Sequence, residues 1–376
     1  MPDEQDSMDR APHLGPLHEE ASDIEQIDGS DLAIVLSRYD IGSVERISDF
    51  KKGSRRAPKV VIRTREGDFI LKRRAAGRDD LDRVEFAHAV QRRLAEHRFP
   101  VAGLVTSTEG ETLVRHEGRI YELFRFIHGT RFDKSNRSAA EAGRVLAHMH
   151  DLLTDFPREM APRTGGFHDP EKVVGAMNML GTELAKNETA DDLIGMEDTL
   201  GYLQEQYADA AKRIDAMEFA SLPMWIVHGD WHPGNLLYQD MDIIAVLDFD
   251  SLHLARRVTD VANGALQLSM RMGDPDRVEE WPDTFRGQTI RSLVQAYDQF
   301  ATEPLMASER TMIPDLMIEA MIVESVIPIA RTGMFGTVKG STFLRMIERK
   351  LRWLMTRRDR VIEVIQPPSS TEDSFN

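Results

Sequence analysis

The sequence predicts an α+β fold with two unequal lobes: a small antiparallel-sheet lobe followed by a larger, mainly helical lobe. From about residue 40 to 127, short apolar runs alternate with turn residues, a pattern typical of strands. After Gly129 the apolar residues recur at helical spacing. The expected parts are a flexible acidic tail at 1–25, a small lobe at 26–127, a large lobe at 128–365 and a disordered tail at 366–376.

Four apolar runs predict the strands of the small lobe. The turn residues at 65–68 join two of these strands into a hairpin. One helix interrupts the sheet, because apolar residues recur on one face from Leu81 to Leu94 and Pro100 follows the helix end. The predicted strands lie at 44–47, 60–63, 69–72 and 120–126.

Helical periodicity dominates the remainder of the chain, with one exception. Two dense apolar runs at 225–227 and 243–248 predict a pair of strands within the helical region. The predicted helices lie at 138–153, 171–186, 191–216, 285–300, 308–331 and 341–364.

Composition excludes several classes of function. The formal charge is -16, from 63 acidic and 47 basic residues, which disfavours a nucleic-acid-binding role and permits a cationic small-molecule substrate. The chain has 0 cysteines, so it has no disulfide, thiolate metal site or cysteine nucleophile. Neither a signal peptide nor an apolar run of about 18 residues is present. We therefore expect a cytoplasmic protein with no membrane partner; the oligomeric state is left open.

Two clusters of polar residues follow the paired strands of the large lobe. The first is His228-Gly229-Asp230 with Asn235, and the second is Asp248-Phe249-Asp250. Phosphoryl transfer from ATP needs a carboxylate that orients the attacking hydroxyl and hard oxygen ligands for Mg²⁺. The two clusters supply two carboxylates and an amide near strand ends, which is the kind of set that this chemistry needs.

This arrangement resembles the aminoglycoside phosphotransferase and choline kinase superfamily, which shares the protein-kinase core and includes homoserine-kinase-like and spore-coat-kinase-like members. The matching signature is H-G-D-x-x-x-x-N followed by an acidic strand end. The resemblance implies a protein-kinase-like fold and an ATP- and Mg²⁺-dependent small-molecule kinase. It implies that Asp230 is the catalytic base and that Asn235 and Asp248 hold the metal. Asp250 would serve a second metal or the substrate.

The resemblance also implies two supporting residues and a nucleotide site. His228 would brace the catalytic loop, and Asp260, in a D-[LIV]-A element, would pin it. Lys72, on a predicted strand, would pair the ATP phosphates. Its partner on the following helix is expected to be either Glu85 or His88.

Two further segments complete the predicted nucleotide site. Backbone groups near Gly53 and Ser54, in a basic loop, would cover the phosphates. Backbone groups from Glu122 to Phe124 would bind the adenine.

Alternatives to an active kinase remain at this stage. A nucleotide-binding pseudokinase would explain the unusual Lys72 partner and the single glycine of the basic loop. A zinc hydrolase would use His228, Asp230 and His232, which alternate and would share one face of an extended strand. The substrate class stays open among amino sugars, sugars, amino alcohols, hydroxy-amino acids and aminoglycosides, with Asp250 and Glu324 favouring an amine.

Overall fold

The chain has the two-lobed, protein-kinase-like α+β fold that the sequence predicts. A computed structural model describes residues 25–50, 57–77, 79–159, 161–162 and 166–367. A small antiparallel sheet forms the first lobe, and helices make up most of the second. The predicted tails fall almost entirely outside the described residues.

Five antiparallel strands form the small-lobe sheet in the order β1-β2-β3-β5-β4. All four predicted strands are confirmed, whereas the short strand β4 and the preceding helix α1 (Gly29–Leu36) were not predicted. Ile62, Leu71 and Leu123 point to one face and pack with Val35 of α1 in a small core. The strands are β1 (Val44–Asp49), β2 (Lys59–Thr64), β3 (Gly67–Arg73), β4 (Val114–His116) and β5 (Arg119–Arg125).

Helix α2 (Leu81–Glu96) belongs to the small lobe in sequence but packs into the core of the large lobe. Its N-terminus is capped by Asp80, whose side chain accepts from the Arg83 N–H. Phe86, Val90 and Leu94 are buried in the large-lobe core. The helix also contacts the 3₁₀ turn Phe249–Ser251. This packing fixes α2 against the catalytic side of the cleft.

Eight helices of the described chain form the large lobe. Helices α3 and α7 pack very closely: a Cβ atom on Gly143 would lie 2.1 Å from the Leu293 carbonyl oxygen, so only glycine fits there. The helices are α3 (Asn136–Leu152), α4 (Pro170–Asn187), α5 (Met196–Ala216), α6 (Val258–Ser269), α7 (Gly287–Phe300), α8 (Ala307–Thr332), α9 (Gly340–Met355) and α10 (Arg358–Ile365).

Two helical predictions were wrong. The segment 341–364 is two helices: the first ends at Met355 and the second begins at Arg358, which forms an ion pair with buried Asp315 of α8. Helix α6 was missed although its apolar residues Val258, Val261, Ala262, Ala265 and Leu266 recur at helical spacing. In the structure all of its residues are buried, including the polar ones.

The predicted strand pair of the large lobe was also wrong in its pairing. Strand β6 (Trp225–Val227) pairs with β9 (His253–Ala255), and β7 (Leu236–Gln239) pairs with β8 (Asp242–Val246). Asp240 and Met241 have positive φ angles of 51° and 73°, which suit a tight hairpin between β7 and β8. A further hairpin joins β10 (Met334–Phe335) and β11 (Val338–Lys339). Within the described ranges, no helix is long and apolar enough to cross a membrane.

Candidate active site

The loop after β6 carries Asp230, the predicted catalytic carboxylate, and is fixed by hydrogen bonds to Asp260. The Asp260 carboxylate accepts from the His228 N–H at 2.6 Å and from the Gly229 N–H at 2.9 Å. Gly229 has a φ of 75°, and a Cβ atom there would lie 2.5 Å from the Ser251 carbonyl oxygen. Only glycine allows the chain to turn so close to its neighbour.

Two further buried residues stabilise the Asp260 carboxylate. His150 Nε2 lies 3.3 Å from Asp260 Oδ2, and its Nδ1 lies 2.8 Å from the Tyr297 hydroxyl. Burial of Asp260 favours its neutral form, but the contact with His150 and the loop N–H groups lower its pKa below the ordinary value. His150 therefore supports the loop through hydrogen bonds as well as by packing.

His228 points away from the cleft and supports the loop. Its Nε2 donates to the Leu247 carbonyl oxygen at 3.1 Å, and its ring packs against Trp231 and Phe249. His228 and Asp260 therefore lie where residues that brace the loop should lie.

Asp230 lies at the cleft surface with two polar neighbours. Asn235 Nδ2 donates to Asp230 Oδ2 at 3.1 Å, and His232 Nε2 lies 3.4 Å from the same oxygen. His232 Nδ1 accepts from the Gly234 N–H, so Nε2 carries the proton that faces Asp230. Burial favours the neutral acid, yet His232 lowers the pKa of Asp230. Asp230 is thus an ionised carboxylate that can accept a proton from a bound hydroxyl.

Asn235 and Asp248 are brought together by the β7–β8 hairpin. The Leu247 N–H donates to the Asn235 carbonyl oxygen at 2.8 Å, one residue before Asp248. Asp248 has a φ of 59° and opens into the cleft. Desolvation in the cleft opposes ionisation of the Asp248 carboxyl group, but the charges of Lys72 and Lys59 hold the pKa of Asp248 well below its ordinary range. An ionised carboxylate beside an amide is a donor set that fits Mg²⁺.

Lys72 lies across the cleft from these residues, and its expected partner was wrong. Lys72 Nζ lies 2.6 Å from Asp250 Oδ2 and 3.3 Å from Asp248 Oδ1. Glu85 is exposed on the far side of α2, and His88 contacts Glu122 instead. The packing of α2 against the large lobe explains why the helix supplies no carboxylate to Lys72.

A buried network of charged residues in the small lobe lies beside Lys72, where a partner from α2 was expected. Arg74 Nε and Nη2 donate to the two oxygens of Glu122 at 2.9 and 2.8 Å, and Arg74 also lies 2.9 Å from Asp250 Oδ1. His88 Nε2 lies 2.6 Å from Glu122 Oε1, and its Nδ1 lies 2.8 Å from the Thr112 hydroxyl. Sequence reasoning missed Arg74, although Lys72 and Arg74 alternate and so face one side of the strand.

The same contacts correct the role predicted for Asp250. Its two oxygens are each bonded to a cation, Lys72 at 2.6 Å and Arg74 at 2.9 Å. Asp250 is therefore a carboxylate of the large lobe that pairs with the small lobe, and it is not placed as a second metal ligand.

The predicted adenine contact was also wrong in position. Lys72 lies opposite Glu122 and Ile70 opposite Phe124 in the β3–β5 pairing, and the Leu123 carbonyl accepts from the Val105 N–H. The backbone of Glu122 to Phe124 is thus used by the sheet. The connection between the lobes follows at residues 126–129. Gly53 and Ser54 of the predicted phosphate loop lie outside the described residues.

The zinc-hydrolase alternative is contradicted by the loop geometry. Strand β6 ends at Val227 and Gly229 turns the chain, so His228 and His232 do not share the face of an extended strand. Among the described residues, the three side chains arranged to hold a metal are Asp31, His116 and Glu117, far from this loop in sequence.

An additional acid, Glu324 of α8, faces the catalytic loop. Burial raises the pKa of Glu324 well above its ordinary value, and the Asp230 charge raises it further. Gln267 Nε2 donates to Glu324 Oε2 at 2.5 Å. Glu324 is partly exposed and forms part of the cleft wall beside Asp230.

Comparison with known proteins identifies the class of this site. Residues 47–305 match the sequence profile of the phosphotransferase enzyme family. The matched segment includes both acidic motifs and Lys72, so the chain belongs to the phosphotransferase enzyme family.

Relatives and solved structures agree with this assignment. The chain is 24% identical over 240 residues to stress response kinase A of Salmonella choleraesuis, covering 62% of each chain. It is 25% identical over 287 residues to homoserine kinase of Rhodopseudomonas palustris, covering 76% of this chain and 79% of that protein.

Solved structures share the fold at low sequence identity. An amicoumacin kinase in complex with AMP-PNP and Ca²⁺ has a TM-score of 0.61 at 14% identity, covering 89% of this chain and 94% of that chain. A microcompartment-associated aminopropanol kinase has a TM-score of 0.61 at 16% identity, covering 89% and 98%. These likenesses concern the fold alone.

Proposed function

We propose that this protein is an ATP-dependent kinase that transfers the γ-phosphate of ATP to a hydroxyl of a small molecule. The observation that carries the proposal is the convergence of Asp230, Asn235 and Asp248 on one side of a cleft whose other side presents Lys72. Family membership and the kinase relatives support it.

The chemistry follows from positions and charges. A substrate hydroxyl hydrogen-bonded to Asp230 would attack the γ-phosphorus, forming the new O–P bond while the bond to ADP breaks and the proton passes to Asp230. Asn235 and Asp248 would hold Mg²⁺, which neutralises phosphate charge when bound. Lys72 would exchange its carboxylate partners for phosphate oxygens. Positioning and electrostatics therefore supply most of the rate.

The substrate class that the cleft favours is a small hydroxyl compound with an amine. Glu324 faces the ionised Asp230 across the substrate side of the cleft, and two carboxyl groups in this position repel each other when both are ionised. A bound ammonium group would relieve that repulsion and allow Glu324 to ionise. Homoserine kinase and aminopropanol kinase, named above, act on compounds of this kind.

The test is ADP release from Mg-ATP with homoserine, aminopropanol, amino sugars, sugars and aminoglycosides. We expect release stimulated by an amine-bearing alcohol and abolished by Asp230→Asn. Asp242→Asn is the matched control, since Asp242 is an exposed acid on the β7–β8 hairpin that follows the catalytic loop. ATP binding without stimulation by any hydroxyl compound would favour a nucleotide-binding pseudokinase. Failure to bind ATP would refute the proposal.

A second candidate is transfer to a protein hydroxyl. The relatives at 24% identity include a serine/threonine protein kinase of Salmonella typhimurium, but the chain spans only 62% of that relative's length. Phosphate incorporation into a generic protein substrate, measured in the same assay, separates this candidate from the first.

A further inference from the structure

The small-lobe sheet presents a second lysine to the cleft. Lys59 of β2 lies directly opposite Lys72 of β3 in the antiparallel pairing. Directly opposed residues point to the same face of a sheet, with Cβ atoms about 5 Å apart. Lys59 is partly exposed, whereas the flanking Val60 is buried in the small core. Both lysines therefore project from the sheet face that covers the cleft.

Like charges directly opposite each other destabilise a sheet, so this pair needs an explanation. Lys72 has two carboxylate partners within 3.3 Å. Among the described residues, no hydrogen bond or ion pair is formed by the Lys59 ammonium group, although its backbone carbonyl accepts from the Phe50 N–H. Its charge still acts on the site, because Lys59 and Lys72 together lower the pKa of Asp248.

The electrostatic surroundings of Lys59 are those of a ligand-binding cation. Burial lowers the pKa of Lys59, and Lys72 lowers it too, while the carboxylates of Asp248, Asp250 and Glu122 oppose this shift. An anion placed between the two lysines would relieve their repulsion and restore the favoured charge of Lys59. Phosphate oxygens beside Lys72 would occupy that position.

We propose that Lys59 is a second phosphate-binding residue of the nucleotide site, contacting the ATP phosphates alongside Lys72. This inference rests on the proposed ATP-dependent function and adds a binding residue to it. The two lysine side chains leave neighbouring strands that lie about 5 Å apart and point to the same face, so both ammonium groups can contact phosphates of one nucleotide.

The test compares nucleotide affinities of full-length variants by isothermal titration calorimetry with ADP and with adenosine. Lys59→Met should weaken ADP binding by about 10-fold or more, the effect of losing one hydrogen bond to a charged group. Adenosine affinity should be unchanged, and Lys59→Arg should restore most of the ADP affinity. Arg63→Met is the matched control, because Arg63 lies on the same strand about 13 Å away and pairs with Asp68 at the surface.

Measuring ADP binding in EDTA separates direct contact from an effect through a metal at Asp248. A direct contact predicts that the difference between wild type and Lys59→Met persists without divalent metal. A difference that disappears in EDTA, an unchanged ADP affinity, or an equal loss for adenosine would each overturn the inference. If the wild type binds ADP and produces ADP from ATP, and Lys59→Met has the same ADP affinity and the same rate, only the inference about Lys59 fails. If the wild type binds no nucleotide, the proposed function fails with it.

Discussion

Replacing Glu122 with glutamine tests whether the buried network of the small lobe stabilises this protein. Glu122 is fully buried on β5 and accepts two hydrogen bonds from Arg74 and one from His88. Glu122→Gln keeps the shape of the side chain but removes its charge. One of its two terminal atoms becomes a donor that faces other donors, so Arg74 loses its paired contact.

The loss of folding stability in Glu122→Gln can be calculated in two ways. Removing one partner of a buried ion pair costs about 3–5 kcal/mol. Burial opposes ionisation of Glu122, but the hydrogen bond from His88 and the charge of Arg74 lower its pKa from 4.5 to about 2. That difference corresponds to about 3 kcal/mol of the free energy of unfolding at neutral pH. The two values agree in magnitude.

The pKa shift also fixes the direction of the pH dependence. A carboxyl group whose pKa is lower in the folded state stabilises the protein above its unfolded pKa and loses that effect as the pH falls towards the folded pKa. For Glu122 the loss occurs between about pH 5 and pH 2. The stability gap between wild type and Glu122→Gln should therefore be full at pH 7 and smaller by about 1–2 kcal/mol near pH 3.5.

Urea unfolding followed by circular dichroism and by tryptophan fluorescence measures this gap. All 4 tryptophans lie in the large lobe, so circular dichroism alone would report separate unfolding of the small lobe. Asp155→Asn is the matched control, because Asp155 accepts two contacts from Arg93 but its side chain is 74% exposed. It should cost less than about 1 kcal/mol. A Glu122→Gln variant as stable as wild type at pH 7, or a gap that grows on acidification, would show that the Glu122 ion pair does not stabilise the fold.

Two further substitutions probe the large lobe. Asp260→Asn leaves either the His228 or the Gly229 N–H without an acceptor and should cost about 2–4 kcal/mol, measured by urea unfolding, and ADP release should fall with it. Glu319→Gln tests a buried acid beside His168, since burial raises the pKa of Glu319 from 4.5 to about 7. Wild-type stability should therefore fall by about 3 kcal/mol as the pH rises through this interval. The variant has no ionisable group at this position and should lack that fall. If wild type and Glu319→Gln had parallel stability profiles from pH 5 to 8, the raised pKa of Glu319 would be contradicted. If Asp260→Asn were as stable as wild type, the role of Asp260 in holding the loop would be contradicted.

Local periodicity was enough to predict the fold class. The strands and most helices have one buried and one exposed face, and that alternation is present in the sequence. Helix α6 also has this spacing in its apolar residues, and its period was overlooked. The break between α9 and α10 falls at Thr356 and Arg357, with no Gly or Pro to mark it, so it has no local signal.

The same distinction separates the parts of the site that could be predicted from those that could not. Asp230, Asn235 and Asp248 lie close together in sequence, and a hairpin register is sufficient to bring them together. The pairing of Arg74 with Glu122 joins residues 48 positions apart across a sheet whose register the sequence does not state. The alternation of Lys72 and Arg74 was the available signal, since it puts two cations on one side of the extended chain at the end of β3.

From the charges around the cleft, we expect a nucleotide to bind together with a divalent metal ion. Three cations project from the small lobe, Lys59, Lys72 and Arg74. Three carboxylates, Asp248, Asp250 and Glu122, pair with Lys72 and Arg74 and act on Lys59 through their charge alone. This set is balanced before any ligand binds. A polyanionic nucleotide alone would add repulsion with Asp248 and Asp250, whereas a divalent cation held by Asp248 would offset part of that charge and leave Lys72 available to phosphates. If the proposed function holds, the pairing of Lys72 with the large-lobe acids would favour binding of the metal–nucleotide complex over the free nucleotide.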